Sequence, residues 1–220
     1  MTRESMTRDT VRAAIEKAGI VPAIRVPSAE DALFVAETVV AGGLHVVELT
    51  MTVPGAAGVI AQLRRSHPHL LVGAGTVLDV EAASECLDAG AAFLTSPGFE
   101  PSVVEFAQRH DLTVIPGALT PTEVMMAWKA GADFVKVFPC ALMGGPAYVR
   151  ALKAPFPKVR MMASGGVNQQ TAGEFIRAGA VALGIREELI PPEAVSRRDR
   201  EWILELVRRF QVIVQRARAV

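Results

Sequence analysis

Eight short apolar runs, rich in β-branched residues, recur along the 220-residue chain and restrict the folds open to it. They begin at residues 20, 45, 70, 92, 113, 134, 159 and 181, so successive runs start roughly 21 to 25 residues apart. Amphipathic stretches such as "SAEDALFVAETVVAGG" and "NQQTAGEFIRAGA" lie between them. Ser28 and Asn168 are predicted helix caps, and Gly42 and Gly179 are predicted helix ends. The repeating unit is therefore a strand followed by a helix.

The number of these units distinguishes between two folds built on a parallel sheet, a closed barrel and a doubly wound sheet. Eight units favour a closed barrel, because a doubly wound sheet more often has about five to seven strands and a glycine-rich dinucleotide turn. The segment "GAGTV" at 73–77 lacks the third glycine and the downstream acidic residue of such a turn. No Ser- or Pro-rich linker divides the chain. We predict an α/β fold in which residues 1–220 form a single parallel (β/α)₈ TIM barrel domain with an N-terminal helix.

The overall composition excludes several partners. Lys+Arg and Asp+Glu both number 23, so no global basic field attracts nucleic acid or an anionic membrane. Half of the residues are hydrophobic, yet no run reaches membrane-spanning length and the charged start lacks a signal-peptide core. Cys86 and Cys140 show no pairing pattern, which fits a reducing compartment. These features predict a cytoplasmic protein.

One charged residue interrupts an otherwise apolar strand pattern. Lys136 lies within "FVKVFP", which begins at residue 134. Strand residues alternate between the interior of a barrel and its helices, so Phe134, Lys136 and Phe138 are predicted to point inward. Burial disfavours an ammonium group, and a neutral amine can attack a carbonyl to form a Schiff base. The alternatives are a lysine that reaches solvent from an edge strand, or half of an inert buried ion pair.

Glu48 is a second charge inside an apolar strand, "HVVELT". Because it shares its parity with Val46 and Thr50, it is predicted to face the same interior as Lys136. A lone Lys136–Glu48 ion pair would explain both charges equally well.

Further special residues follow the predicted strand ends, where barrels carry their active sites. Thr76 closes "GAGT", the residues Ser96, Pro97 and Gly98 close "TSPG", and Arg25 ends "PAIR". The planar guanidinium of Arg25 suits a substrate carboxylate. A lysine, a glutamate, an arginine and a threonine are thus predicted to converge.

These motifs resemble those of the 2-keto-3-deoxy-6-phosphogluconate (KDPG) aldolase family, which includes 4-hydroxy-2-oxoglutarate aldolases. The resemblance extends from about residue 10 to the final helix. The matching stretches, in the order of the family, are "PAIRVPSAEDAL", "VVELTMTVPGA", "GAGTVLD", "FLTSPG", "PGALTPTE", "KVFPCALMGGPAYVRALKAPFP" and "SGGVN".

The resemblance implies a class I pyruvate aldolase that uses no metal or other cofactor. By the same resemblance, Lys136 is the Schiff-base lysine and Glu48 the acid/base residue. The implied substrate is a small-molecule 2-keto acid and the implied assembly is a homotrimer. The implied substrate-binding residues are Arg25 and Thr76 for the keto-acid carboxylate, and Pro97 and Phe138 for the wall of the pyruvate pocket.

Only half of the phosphate site that barrels often build after strands seven and eight is visible in the sequence. "SGGVN" supplies Ser164 and the backbone N–H groups of Gly165 and Gly166, at a predicted helix start where the dipole favours an anion. In "LGIREEL", Arg186 and Glu187 stand where similar proteins carry small residues. Arg186 could clamp a phosphate or a distal carboxylate, Glu187 would repel either, and both could face solvent. We therefore predict poor discrimination between phosphorylated and unphosphorylated substrates.

Two other candidate sites are weaker. The "HPH" segment at 67–69 precedes the third strand, on the non-catalytic side of a barrel, and is predicted to be a solvated loop rather than a metal site. Cys140 lies near the predicted site but has no neighbouring histidine in the sequence. We predict a small, partly buried thiol rather than a nucleophile.

A function from a different class is an aldolase-like barrel that has lost activity and serves as an oligomeric scaffold or binding protein. The final helix motivates this alternative, because Trp202 and Val212 widen its apolar stripe beyond a simple barrel-facing surface. Contact with a further protein through this helix is therefore predicted. The stripe itself consists of Ile203, Leu206, Val207, Phe210, Ile213 and Val214.

Overall fold

The structure is a computed structural model that describes residues 7–219. Its strands are β1 (Ile20–Ile24), β2 (Val46–Thr50), β3 (Leu71–Gly75), β4 (Phe93–Thr95), β5 (Thr113–Ile115), β6 (Gly117–Ala118), β7 (Val135–Val137), β8 (Met161–Ser164) and β9 (Ala180–Ile185). Its helices are α1 (Arg8–Ala18), α2 (Ala29–Ala41), α3 (Ala56–Ser66), α4 (Val80–Asp88), α5 (Pro101–Arg109), α6 (Pro121–Lys129), α7 (Pro146–Lys153), α8 (Ala172–Arg177), α9 (Pro192–Ser196) and α10 (Arg200–Arg218).

The strands are parallel and follow the order β5-β4-β3-β2-β1-β9-β8-β7-β6. β5 and β6 are the two edge strands of this order, and only Pro116 separates them in the chain. The chain itself therefore joins the two edges and closes the ring. Proline has no N–H to donate, and its carbonyl oxygen accepts a hydrogen bond from Lys136 N at 2.9 Å. The predicted (β/α)₈ barrel is therefore confirmed, with its fifth strand divided in two.

Alternation along the strands builds two separate cores. Val135 and Val137 pack in the outer core between the strands and the helices, whereas Phe134 lies in the barrel interior. Val11 and Ile15 of α1 join that interior core, so the N-terminal helix closes the amino end of the barrel. The inward orientation predicted for Phe134 is confirmed, which leaves the carboxyl end as the open end.

A buried carboxylate attaches α1 to the barrel. Asp133 is 3% exposed, and its Oδ2 lies 2.9 Å from Arg8 Nη2 and accepts a hydrogen bond from Val114 N at 2.9 Å. Arg12 Nη1 lies 3.8 Å from Asp133 Oδ1. Since the Asp133 charge is both paired and hydrogen-bonded, its burial is compensated.

The final helix α10 packs on α2 and α8. Ile203, Val207 and Phe210 of its apolar stripe are fully buried, whereas Trp202 and Val212 are 38% and 42% exposed. The side chains of Trp202 and Val212 therefore remain on the surface, as the sequence pattern predicts. Within residues 7–219, no helix is both long enough and apolar enough to cross a bilayer.

One predicted cap is confirmed and another is wrong. The Ser28 side chain accepts a hydrogen bond from Asp31 N at the start of α2. Asn168, in contrast, does not cap α8, which begins at Ala172 after Thr171. Its side-chain oxygen accepts hydrogen bonds from Gln170 N and Thr171 N, because an Asn side chain can stabilise a local turn instead of a helix.

Candidate active site

A cavity of about 290 Å³ opens at the carboxyl end of the strands. Each of the ten predicted site residues lines it, although they come from seven different strand ends or loops. Because parallel strands present their carboxyl ends at one side of a barrel, distant sequence positions meet there. The ten residues are Arg25, Glu48, Thr76, Pro97, Lys136, Phe138, Ser164, Gly165, Gly166 and Arg186.

The two charges predicted inside the barrel face each other in this cavity. Lys136 Nζ lies 3.7 Å from Glu48 Oε1, and the side chains are 11% and 2% exposed. At this distance the pair is an ion pair rather than a hydrogen bond. Within residues 7–219, buried Glu48 Oε2 has no hydrogen-bond partner. Glu48 thus keeps one carboxylate oxygen without an internal hydrogen-bond partner beside the Lys136 amine.

An aromatic ring forms the wall next to the amine. Lys136 Nζ lies 5.6 Å from the centroid of the Phe138 ring, within the range of a cation–π contact. Phe138 is the next inward-facing residue along the chain after Lys136. It therefore limits access to the amine on that side.

Two glycines of β3 make room for neighbouring side chains. β3 pairs with β2 so that Gly73 lies opposite Glu48 and Gly75 opposite Thr50. A Cβ at Gly75 would overlap Glu48 Oε1 and would lie 2.6 Å from Glu48 Cδ. A side chain at Gly75 would therefore displace the carboxylate, and a side chain at Gly73 would overlap the Phe93 ring.

Arg25 and Thr76 form a polar edge to the cavity. Arg25 Nη2 donates a hydrogen bond to Thr76 Oγ1 at 2.9 Å. Thr76 has a φ of 61°, in the left-handed region that a β-branched residue rarely adopts. This backbone conformation directly follows β3 and brings the hydroxyl to the guanidinium. The hydrogen bond orients a planar donor group that matches a carboxylate.

Pro97 forms part of the cavity wall, and hydrogen bonds hold the turn that carries it. Ser96 Oγ donates a hydrogen bond to the Gly98 carbonyl oxygen at 2.7 Å. Gly117 N donates to the same carbonyl oxygen at 3.2 Å, which ties the turn to β6. A Cβ at Gly117 would overlap the Pro97 backbone, so this close approach requires glycine.

The "SGG" segment lines the cavity, but it does not begin a helix. Ser164 ends β8 and its Oγ donates to the Gly184 carbonyl oxygen at 3.3 Å. Gly165 and Gly166 both have φ of 84°, and the six-residue helix α8 starts only at Ala172. The predicted helix start at these glycines is therefore wrong. Their backbone groups line the cavity without the support of a helix dipole.

Three consecutive charged residues after β9 line the cavity. Arg186 Nη2 lies 2.8 Å from Glu187 Oε1, and the two side chains are 48% and 61% exposed. Glu188 also lines the cavity. The Arg186 charge is thus already paired with its neighbour in the chain.

Cys140 is a buried thiol beside the cavity. Burial raises the pKa of the Cys140 thiol to about 11, and its Sγ donates to the Gly165 carbonyl oxygen at 3.4 Å. A thiol with a raised pKa is a poor nucleophile because it is protonated near neutrality. This finding agrees with the structural role predicted for Cys140.

Several lining residues were not predicted. The sequence signal for some of them was present, because Ala23 and Thr50 share their strand parity with Arg25 and Glu48. Glu188 and Val167 lie in loops, where no periodic pattern fixes the direction of a side chain. The residues not predicted are Ala23, Thr50, Val167, Gly184 and Glu188. Glu187 was predicted at this turn, but as a group that repels an anion and not as a binding residue.

The fold and the cavity define the class of the chain: it is a (β/α)₈ barrel with a charged cavity at the carboxyl ends of the strands, where barrel enzymes carry their active sites. The family described as KDPG and KHG aldolase has a sequence model that matches residues 11–206. The chain belongs to this KDPG and KHG aldolase family.

Individual relatives cover nearly the whole chain. A 2-dehydro-3-deoxy-phosphogluconate aldolase of Treponema pallidum is 33% identical over 205 residues, which are 93% of this chain and 98% of the relative. A KHG/KDPG aldolase of Escherichia coli K12 is 32% identical over 189 residues, covering 86% of this chain and 89% of the relative. A solved structure of KDPG aldolase from Legionella pneumophila, with pyruvate captured as a covalent carbinolamine, has a TM-score of 0.83. That structure is 31% identical and covers 89% of this chain and 95% of its own.

Proposed function

We propose that the protein is a class I aldolase that splits 4-hydroxy-2-keto acids into pyruvate and an aldehyde. Its candidate substrates are 2-keto-3-deoxy-6-phosphogluconate, which yields glyceraldehyde 3-phosphate, and 4-hydroxy-2-oxoglutarate, which yields glyoxylate. The single observation that carries the proposal is the buried Lys136 amine 3.7 Å from a Glu48 carboxylate with one unpartnered oxygen. The covalent pyruvate adduct of the Legionella relative supports the same chemistry.

The proposed reaction begins when neutral Lys136 attacks the C2 carbonyl of the substrate. The carbinolamine loses water to give an iminium, which withdraws electrons from C3. Glu48 then removes the proton of the C4 hydroxyl, the C3–C4 bond breaks, and the aldehyde leaves while an enamine remains on Lys136. Glu48 returns the proton to C3, and water hydrolyses the resulting iminium to free pyruvate and Lys136.

The remaining cavity residues suit the binding of this substrate. Arg25, which donates a hydrogen bond to Thr76, is proposed to hold the keto-acid carboxylate in a planar, charge-assisted contact. Pro97 and Phe138, which also line the cavity, are proposed to enclose the methyl group of pyruvate. The backbone of Gly165 and Gly166 and the side chains of Ser164 and Arg186 line the distal part of the cavity. They are therefore candidates to contact the aldehyde half.

We also infer that the chain forms a homo-oligomer, and that the oligomer is a trimer. One similar structure is a protein cage designed by fusing symmetric oligomeric domains; it is 27% identical, with a TM-score of 0.84. The exposed Trp202 and Val212 of α10 supply apolar surface that a second chain could cover.

Reductive trapping tests the proposed chemistry. Incubation with pyruvate and borohydride is expected to add one reduced pyruvate to the chain, and peptide mapping is expected to find it on Lys136 only. Lys136→Arg is expected to abolish the adduct. No added mass, or mass on another lysine, would refute the Schiff-base assignment and favour the inactive scaffold.

Lys153 offers a matched control. Burial lowers the pKa of Lys153, and its Nζ donates to the Val159 carbonyl oxygen at 2.6 Å, on the outside of the barrel. If a low lysine pKa were sufficient, Lys153 would also trap pyruvate. We expect Lys153→Arg to keep the full adduct, because the cavity, and not the lysine pKa alone, selects the reactive amine.

A further inference from the structure

Two buried polar atoms inside the barrel lack a hydrogen-bond partner. Among residues 7–219, the buried side-chain nitrogen and oxygen atoms without a partner are Arg8 Nε, Glu48 Oε2 and Thr95 Oγ1. Arg8 belongs to α1, whereas Glu48 and Thr95 belong to barrel strands and are 2% and 1% exposed. A buried oxygen without a partner costs free energy, so such atoms are rare and each of them calls for an explanation.

The Thr95 side chain points into the barrel. In β4, Phe93 lies in the interior core and Leu94 in the outer core. Successive strand residues alternate between the two faces, so Thr95 shares the interior with Phe93. Pro97, two residues further along the chain, lines the cavity. Thr95 therefore lies between the apolar interior of the barrel and the candidate active site.

The Glu48 carboxyl group extends over β3 towards the strand that carries Thr95. A Cβ at Gly75 would lie 2.6 Å from Glu48 Cδ, so the carboxyl group fills the interior side of β3 at this glycine. Ala74 pairs with Leu94, and Gly75 and Thr95 are the next residues on the two strands. Adjacent strands lie about 4.8 Å apart. Thr95 is thus the neighbouring inward-facing side chain beyond the position that Glu48 fills.

The two unpartnered oxygens have complementary hydrogen-bonding properties. A carboxylate oxygen only accepts, whereas a threonine hydroxyl both donates and accepts. They make no direct hydrogen bond with each other. A buried water molecule needs two to four polar partners, and Glu48 Oε2, Thr95 Oγ1 and the nearby Lys136 amine supply this number.

The proposed reaction removes one of the groups that hold Glu48. In the free protein, Lys136 Nζ lies 3.7 Å from Glu48 Oε1. Once Lys136 is bonded to the substrate, the carboxylate must keep its place while it moves protons at C4 and C3. A neutral hydroxyl that reaches the other carboxylate oxygen through water can hold it there without adding a second charge.

We propose that Thr95 is a positioning residue for Glu48: the Thr95 hydroxyl and Glu48 Oε2 hold one water molecule between them, and this bridge fixes the carboxylate during the proton transfers. The inference rests on the proposed function, because that function assigns the proton transfers to Glu48. Thr95 itself does not touch the substrate in this arrangement, and it acts only through the orientation of Glu48.

The first test is Thr95→Val, which keeps the shape of the side chain and removes its hydroxyl. Cleavage of 4-hydroxy-2-oxoglutarate is expected to show a kcat about tenfold lower with little change in KM, because the loss affects proton transfer and not substrate binding. Exchange of the pyruvate methyl protons in D₂O, followed by NMR, is expected to slow by a similar factor. A normal kcat with a normal exchange rate would overturn the inference.

Thr95→Ser separates positioning from packing. Serine keeps the hydroxyl but loses a methyl group, so kcat and the exchange rate are expected to stay within about threefold of normal. A packing role predicts the opposite order, with serine worse than valine, because serine leaves a small cavity. Serine as slow as valine would therefore overturn the inference. Thr95→Ala is the second variant without a hydroxyl if the valine variant does not fold, and it is expected to be as slow as valine.

Thr38→Val is the matched control. Thr38 is fully buried, and its Oγ1 donates to the Phe34 carbonyl oxygen at 2.7 Å within α2, outside the barrel. This variant also removes a buried threonine hydroxyl, but it is expected to keep the normal kcat and exchange rate. An equal slowing in Thr38→Val would show that the loss of any buried hydroxyl disturbs the enzyme, and it would overturn the specific role of Thr95.

Trapping with pyruvate and borohydride distinguishes failure of this inference from failure of the proposed function. Thr95→Val is expected to reach the full adduct on Lys136, since its amine and the carboxylate-binding edge are unchanged. A full adduct together with normal exchange overturns the role of Thr95 alone. Absence of the adduct in the unsubstituted protein overturns the proposed function and the role of Thr95 with it.

Discussion

Replacing Gly75 by alanine is expected to disable the enzyme without changing any group that takes part in the reaction. The new Cβ would lie 2.6 Å from Glu48 Cδ and 2.7 Å from Glu48 Cγ, whereas ordinary contacts begin at 3.4 Å. Relief of the overlap therefore requires Glu48 Cδ to retreat by at least about 0.8 Å, from 2.6 Å to 3.4 Å, because Gly75 is fixed in the ladder with β2.

A shift of this size is large for a proton-transfer group. A misplacement of about 1 Å can reduce turnover by roughly a hundredfold, so kcat for aldol cleavage is expected to fall by about that factor. Binding of pyruvate through Arg25 is expected to change less, because the three atoms nearest the new Cβ all belong to Glu48. The readout is steady-state release of pyruvate, with borohydride trapping as a separate measure of the Lys136 adduct.

The matched control is Gly58→Ala. Gly58 lies within α3, has an ordinary helical φ, and a Cβ there meets no atom within 4 Å. This variant is expected to be fully active and slightly more stable, because alanine favours a helix over glycine. Gly75→Ala with more than a third of normal kcat would refute the reasoning, since Glu48 would then tolerate displacement or would not act in the reaction.

Three further predictions follow from the same structure. Glu48→Gln keeps the size of the side chain but removes its basicity, so turnover is expected to fall at least about a hundredfold at unchanged thermal stability; near-normal rates would make Glu48 a structural partner only. Asp133→Ala leaves the Val114 N–H and Arg8 without their buried partner, so denaturant unfolding is expected to show a loss of about 3 kcal/mol, whereas the surface substitution Asp9→Ala changes little. Sedimentation velocity at micromolar concentration is expected to give a trimer of 23.4 kDa chains; a monomer alone would contradict this assembly.

The alternation of side chains explains why the inner face of the barrel was predictable. A strand has a period of two, so the parity of Phe134 and Val46 decides where Lys136 and Glu48 point once a barrel is assumed. The structure places both charges in one cavity at 3.7 Å. The parallel order of the strands also predicted that the residues after the strands would meet, because every carboxyl end lies on the same side of the barrel.

Features that depend on exact neighbours were not predictable from one sequence. The need for Gly75 appears only when the register between β2 and β3 places it beside the Glu48 side chain. The start of α8 was misjudged because Asn168 stabilises either a helix cap or a local turn, and the choice depends on surrounding contacts. The pairing of Arg186 with Glu187 involves two long, exposed side chains whose rotamers no pattern specifies.

Arg218 links the two ends of the described chain by hydrogen bonds. Arg218 of α10 donates hydrogen bonds to the carbonyl oxygens of Glu16 and Lys17 in α1, across sequence separations of 202 and 201 residues, and to that of Val181. Contacts between such distant positions form late in folding, because the chain entropy lost in closing the loop must first be offset by other structure. The Arg218 contact therefore controls the lifetime of the folded barrel more than the speed of its formation. In kinetic terms, Arg218→Ala is expected to accelerate unfolding while refolding in stopped-flow measurements remains unchanged.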